Sequence, residues 1–259
     1  MNFKLIALDL DGTLLNSDLK ISPRAMTAIQ AAEKKGVRVT LCTGRMYVSA
    51  LHYARELKLN VPLITYNGAL VKNSNEVLYE RSLSLEEAKH VIRTCKKFDC
   101  QLNLYLDDKL YAEKSNGWSK RYAEKVKVDL HEVDDLLDFL KLPPIKLLAM
   151  GKEEVLHKIR GQLADRELYI TRSHSYFLEM LNTEATKGKG LAVVAEKMAI
   201  DRKNVLAIGD NENDIEMFKY AGCAVAMNNA DEQVKAYADY VTKSNDDDGV
   251  AEAIEKLVL

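Results

Sequence analysis

Little in this chain would tie it together covalently or anchor it to a membrane. Its four cysteines, Cys42, Cys95, Cys100 and Cys223, form no C-x-x-C pair and stand at no metal-ligand spacing with histidine, which argues against a disulfide framework and fits a reducing cytoplasm. Cys42 and Cys223 lie inside apolar runs, as small buried residues do. No apolar stretch is long enough to cross a bilayer, and no hydrophobic leader with a small-residue cleavage site opens the sequence, so a soluble cytoplasmic protein is expected. Neither sign of charge is in excess: 37 basic and 39 acidic residues leave a net charge of −2. That balance gives no electrostatic reason to expect nucleic acid or an anionic membrane as partner. There is no internal repeat, no low-complexity segment and no G-x-G-x-x-G, so a dinucleotide site is not supported. Lys187-Gly188-Lys189-Gly190 lacks the upstream glycine and the following Lys-Ser/Thr of a phosphate-binding P-loop.

What is present is ordinary globular material. The 259 residues are 47% apolar and 29% charged, enough for one large domain or two moderate ones. The first 80 or so residues alternate strand and helix. Ser22-Pro23 reads as an N-cap followed by proline at the first helical position, and Gly36 closes that helix. Val37 to Cys42 reads as the next strand, ending on Thr43-Gly44-Arg45, and Pro62 to Thr65 as a third, ending on Tyr66-Asn67-Gly68. Strands separated by single helices predict βαβ units and a parallel sheet.

From about residue 82 the texture changes. Ser84 to Glu87 is a capping box opening a helix to about Phe98, and Gln101 to Ala112 reads as a hairpin turning at Asp107-Asp108. Strands follow at Ile145 to Met150 and Tyr176 to Leu181, with Pro143-Pro144 as a loop between elements. After about residue 184 the parallel pattern returns. A helix spans Lys189 to Met198, strands fall at Asn204 to Ile208, Cys223 to Ala226 and Tyr240 to Thr242, and a helix starts at Asp248. Asp246-Asp247-Asp248 reads as an acidic helix start. The predicted fold class is therefore α/β: residues 1–82 and 184–259 form a three-layer α/β/α, Rossmann-like parallel-sheet core, and 83–183 an inserted α+β domain.

The first core strand, Phe3 to Leu8, runs directly into Asp9-Leu10-Asp11-Gly12-Thr13. Alone, Asp-x-Asp-Gly is a turn signature. Two acids at the end of a core strand are expensive to bury, however, unless a cation or a reaction needs them there. Two more predicted strands end in polar clusters, Thr43-Gly44-Arg45 and Asp210 to Asp214, and a parallel sheet gathers such ends into one crevice. Four carboxylates, Lys187 and hydroxyl or amide donors suit Mg²⁺ with a phosphoryl group, because hard oxygen ligands select that ion. An EF-hand fails on spacing: from Asp9 its glycine and glutamate positions hold Leu14 and Lys20, and from Asp210 they hold Ile215 and Ala221.

Asp9-Leu10-Asp11-Gly12-Thr13, Thr43-Gly44-Arg45, Lys187 and Gly209-Asp210 with Asn213-Asp214 resemble, in order, the four motifs of the haloacid dehalogenase superfamily. The likeness is strongest to its Cof-type phosphatases, and Tyr66 to Ala69, Ala238 to Thr242 and Asp248 to Ala251 extend it. The insertion stands where that family carries a large α/β cap. The resemblance implies a Mg²⁺-dependent phosphatase of small phosphorylated metabolites, with sugar phosphates first among them. It implies Asp9 as nucleophile forming an aspartyl-phosphate and Asp11 as general acid and then base. Thr43, Asn213, Lys187 and backbone N–H groups near Leu10, Asp11 and Gly44 would hold the phosphoryl group. Mg²⁺ would sit on Asp9, the Asp11 carbonyl, Asp210 and Asp214. Arg45 is left between a structural or surface ion pair and a substrate contact.

In the insertion, Tyr105, Tyr111, Trp118, Tyr122, His174 and Tyr176 are divided between core packing and a substrate pocket; aromatics at such spacing favour core, and Arg172-Ser173-His174-Ser175 favours a plain loop. Two other readings stay open. A phosphosugar mutase would need a second phosphate site from clustered arginines, and Arg121, Arg160, Arg166 and Arg172 are scattered. A receiver-like phospho-accepting module would need neither Asp11 nor a lid. Oligomeric state is not legible.

Overall fold

The computed structural model describes residues 2–113 and 117–259. The chain opens with β1 (Leu5–Leu8), α1 (Pro23–Lys34), β2 (Arg38–Leu41) and α2 (Tyr47–Glu56), followed by β3 (Leu63–Thr65), β4 (Leu70–Lys72) and β5 (Val77–Glu80). As the capping signals predict, the Ser22 hydroxyl accepts the Ala25 N–H at 3.1 Å, and Gly36 has φ +82° just past the helix. The same hydroxyl donates to Asp248 at 2.5 Å. Ser22→Ala is therefore expected to lower the unfolding free energy by about 1–2 kcal/mol, read from the midpoint of urea denaturation.

The middle of the chain contributes α3 (Leu85–Cys95), β6 (Gln101–Leu106), β7 (Lys109–Glu113), α4 (Gly117–Val126), β8 (Leu130–Val133), α5 (Leu136–Phe139), β9 (Lys146–Met150), α6 (Glu153–Gln162), β10 (Tyr169–His174) and β11 (Phe177–Leu181). The last part adds α7 (Lys187–Lys197), β12 (Val205–Gly209), α8 (Ile215–Tyr220), β13 (Cys223–Ala226), α9 (Glu232–Lys235), β14 (Tyr240–Val241) and α10 (Gly249–Leu257). α7 begins two residues before the apolar pattern suggests, because Thr186 caps it through the Lys189 N–H at 3.2 Å.

Three sheets result. The main one is parallel, in the order β14-β13-β12-β1-β2. Its strands alternate cleanly between faces. Leu5, Ala7, Val205 and Ala207 pack with Leu191, Val194 and Met217 of α7 and α8. Ile6, Leu8, Leu206 and Ile208 pack with Ala25, Ile29 and Ile254 of α1 and α10. Period-2 burial on both faces makes the three layers.

β3 lies parallel beside the end of β2, through the Cys42–Ile64 bridge and the Thr43 N–H on the Ile64 carbonyl at 2.9 Å, but it also joins β4 and β5 in a small antiparallel sheet. The reason is the turn after it: Tyr66, Asn67 and Gly68 all have positive φ, which folds the chain straight back onto β3. The acidic run stands at the start of α10 as expected, with Asp248 at its N-cap position, and its side chains also tie that segment to the loop after β1 and the start of α1: Asp246 accepts from Ser17 and Asp248 from Ser22.

The third sheet has the order β10-β11-β9-β6-β7-β8. One face, with Leu102, Leu104, Leu147, Ala149, Leu178 and Met180, packs on α3, α5 and α6. The other face presents Tyr105, Lys146, Leu148, Phe177 and Glu179, and α4 crosses it with Tyr122 and Val126. The β6–β7 turn falls at Asp107-Asp108 as predicted, both with positive φ.

Candidate active site

The carboxyl ends of β1, β2 and β12 lie side by side and open on a cavity of about 610 Å³. Its floor comes from the core loops: Asp9, Asp11 and Gly12 after β1, Thr43, Gly44 and Arg45 after β2, and Asp210, Asn211 and Asn213 after β12. Its roof comes from the third sheet and α4: Tyr122, Lys125, Val126, Lys146, Leu148, Ser173, His174, Phe177 and Glu179.

Asp9 is 5% exposed, and its Oδ1 accepts from Lys187 Nζ at 2.6 Å. Lys187 is wholly buried and donates equally to Asp214 Oδ1 at 2.6 Å. Asp214 in turn accepts the Asp210 and Asn211 N–H groups on its Oδ2, both at 2.9 Å. Asp210 accepts from the Thr13 hydroxyl at 2.7 Å. Gly12, at φ +79°, is required here: a Cβ on it would lie 2.3 Å from an Asp210 carboxylate oxygen.

The electrostatics follow from this crowding. Burial, with the Asp214 and Asp11 charges, pushes Asp9 up to about 7 against the pull of Lys187. Burial and the Asp9 and Asp214 charges likewise raise Asp210 well above the ordinary carboxylate range. Burial alone would neutralise Lys187, but Asp214 and Asp9 outweigh it and hold the ammonium charged. Asp9, Asp210 and Asp214 each offer an oxygen within 4.8 Å of the others. A buried all-oxygen set that strains to stay ionised fits a hard divalent cation such as Mg²⁺.

Asp11 is held differently. Arg45, 3% exposed, grips it through Nε at 2.6 Å and Nη2 at 2.7 Å, while 35% of the Asp11 side chain faces the cavity. Burial tends to raise Asp11, yet the bidentate Arg45 contact wins and holds it below its usual range.

A sequence profile of haloacid dehalogenase-like hydrolases matches residues 6–254. The chain belongs to that family. This hydrolase is 37% identical over 259 residues to the 5-amino-6-(5-phospho-D-ribitylamino)uracil phosphatase YcsE of Bacillus subtilis (strain 168), across 100% of this chain and 97% of that protein. It superposes on a haloacid dehalogenase-like hydrolase from Bacteroides thetaiotaomicron with a TM-score of 0.87 at 36% identity, covering 98% of this chain and 99% of the other. A sugar phosphatase of haloacid dehalogenase subclass IIB superposes with a TM-score of 0.89 at 26% identity, over 97% and 98% of the two chains. The hydrolase is thus a phosphoric monoester hydrolase with the family's α/β core and a cap. Among the described residues no helix is long and apolar enough to cross a membrane.

The structure gathers Asp9, Asp11, Thr43, Gly44, Asp210 and Asn213 around one cavity, while Lys187 and Asp214 lie behind it as buried supports. Leu10 packs its side chain into the core and is not among the residues lining the cavity. Arg45 is the partner of Asp11, not a surface residue. His174 ends β10 and lines the cavity, contrary to the loop reading, and Tyr122 lines it too. Tyr105 is core, Tyr111 packs on Phe139, and Trp118 and Tyr176 edge a separate groove. The arginines a mutase would need are engaged elsewhere: Arg160 with Glu212, Arg166 with Glu87, Arg172 with Glu153. Lys146 and Glu179 line the cavity without having been expected there. The signal was there: one charge of each sign stands alone in the apolar runs Ile145 to Met150 and Phe177 to Leu181.

Proposed function

We propose that this hydrolase is a Mg²⁺-dependent phosphatase that cleaves small polyol or sugar phosphates through an aspartyl-phosphate on Asp9. The observation that carries the reading is the floor of the cavity, where Asp9, Asp11, Thr43, Gly44, Asp210 and Asn213 converge. Asp9 and Asp210 would hold the ion directly, with the Asp11 carbonyl. Asp214, both oxygens already engaged, would fix them through Lys187 and the Asp210 N–H. Bound there, Mg²⁺ would supply charge neutralisation and orientation for the phosphoryl group.

The Asp9 carboxylate attacks phosphorus, the bond from phosphorus to the leaving oxygen breaks, and Asp11 gives that oxygen its proton. An incoming phosphate adds negative charge that favours the protonated Asp11 needed for this step. Once the leaving group departs, Arg45 favours the ionised Asp11, which takes a proton from the water that hydrolyses the phosphoenzyme. Thr43, Asn213 and the Leu10 and Gly44 N–H groups hold the phosphoryl oxygens, and Lys187 offsets the charge of Asp9.

Residues 83–183 act as the cap, and 1–82 with 184–259 as the catalytic core. The roof suits a hydroxylated chain with an apolar face: Tyr122, Val126, Leu148 and Phe177 on one side, Lys125, Ser173 and His174 on the other. That composition agrees with the ribityl phosphate named for the Bacillus subtilis relative and with the sugar phosphates of the subclass IIB neighbour. The test is phosphate release from a panel of sugar, ribityl and nucleoside phosphates, with Mg²⁺ and with chelator. Release is expected with Mg²⁺, to vanish in chelator and to return with excess Mg²⁺; release indifferent to chelator would overturn the metal assignment.

A further inference from the structure

Lys146 and Glu179 form an ion pair at 2.7 Å, and each residue is 1% exposed. They sit on β9 and β11, on the sheet face that meets the core. Neither partner stops at the other. Lys146 Nζ also donates to the Gly44 carbonyl at 2.7 Å. The same Glu179 Oε2 accepts from Asn67 Nδ2 at 2.9 Å, and Asn67 Oδ1 accepts from Asn213 Nδ2 at 3.0 Å. Glu179 Oε1 is held by the Ser173 hydroxyl. A continuous polar chain therefore runs from two strands of the third sheet to the loops after β2 and β12.

Two details show how tightly it is drawn. A Cβ on Gly44 would lie 2.8 Å from Asn67 Oδ1 and 3.5 Å from Glu179 Oε2, so a bare glycine is what lets the pair come down on the loop. Asn213 Oδ1 is buried with no hydrogen-bond partner among the described residues, and the Asn67 bond to its Nδ2 aims the amide. Buried ion pairs are seldom better than an apolar filling for stability alone, which points to a use for the geometry rather than for the energy.

We propose that Lys146 and Glu179 are positioning residues: their pair sets Asn67, Asn213 and the Gly44 loop into the arrangement that receives the phosphoryl group, so seating of the roof and readiness of the floor are one event. This rests on the phosphatase reading above. A misplacement of about 1 Å at such a site typically lowers turnover by about 100-fold.

The test compares kcat and KM for Glu179→Gln and for the double variant Lys146→Met/Glu179→Leu, using acetyl phosphate and a hexose phosphate. Acetyl phosphate is too small to lean on the roof. The expected result is a kcat lowered about 10- to 100-fold for both substrates in both variants, even where the apolar double variant matches or exceeds the wild-type melting temperature. A loss confined to the hexose phosphate, mostly in KM, would make the pair a substrate contact and overturn the proposal. A lowered melting temperature with unchanged kcat would reduce it to a structural pair. Failure of wild-type protein to release phosphate from either compound would instead overturn the phosphatase reading itself.

Discussion

Asp9→Asn is expected to abolish phosphate release, by at least about 10⁴-fold, while making the metal-free protein more stable than the native chain. The loss follows because an amide cannot attack phosphorus as a carboxylate does. The gain follows from the setting of Asp9: 5% exposed, with Asp210 and Asp214 oxygens within 4.8 Å. Because Asp9 is pushed up to about 7, the folded state keeps its proton where the unfolded chain has released it. Between about pH 4 and pH 7 the native chain therefore loses stability through this group, and above that the penalty is constant. Asparagine has no such charge. Thermal unfolding in chelator at pH 5 and pH 8 should show the variant ahead by several degrees at pH 8 and by less at pH 5. A variant that melts lower than the native chain at pH 8, or that still turns over, would contradict this account of the site.

Lys187→Met should be the most damaging single change to the fold that leaves the sheet intact. The ammonium is wholly buried, at 2.6 Å from both Asp9 and Asp214, and it is the cation among three buried carboxylates. Removing one partner of a buried ion pair costs about 3–5 kcal/mol, since the charge left behind has no compensation. For a chain of this size that is on the order of 10 °C in melting temperature. Phosphate release should fall with it, because Lys187 holds Asp9 in place. Mg²⁺ is expected to raise the melting temperature of the variant more than that of the native chain, since the ion would then be the cation left for these acids. An unchanged midpoint in chelator would mean the carboxylates are protonated in the native fold.

The core was legible because its signals are local and periodic. β1 is an apolar run ending on acids, Ser22-Pro23 and Gly36 bracket α1, and polar clusters end β1, β2 and β12. Topology then does the gathering, since parallel strands present their carboxyl ends together. What the sequence hid are relations across distance. Nothing near Arg45 announces Asp11, 34 residues earlier, as its partner. Lys146 and Glu179 stand 33 apart, and Glu179 meets Asn67 across 112. The small antiparallel sheet of β3, β4 and β5 was missed for the opposite reason: three left-handed residues at Tyr66 to Gly68 fold the chain back beside a strand whose helix-strand rhythm promised only a parallel neighbour.

The central sheet joins the two ends of the chain. β1 pairs with β12 in the register Leu5 to Val205, and the strands of the cap are all made in between. On the ribosome, then, Asp9 is made well before Lys187, Asp210 and Asp214. Closing so long a loop is slow compared with forming hairpins of neighbouring strands. A chain made only as far as the third sheet carries Asp9 without Lys187, Asp210 or Asp214, the groups that surround it in the fold. The buried cluster of Asp9, Lys187, Asp210 and Asp214 can therefore close only after both parts of the core have been made.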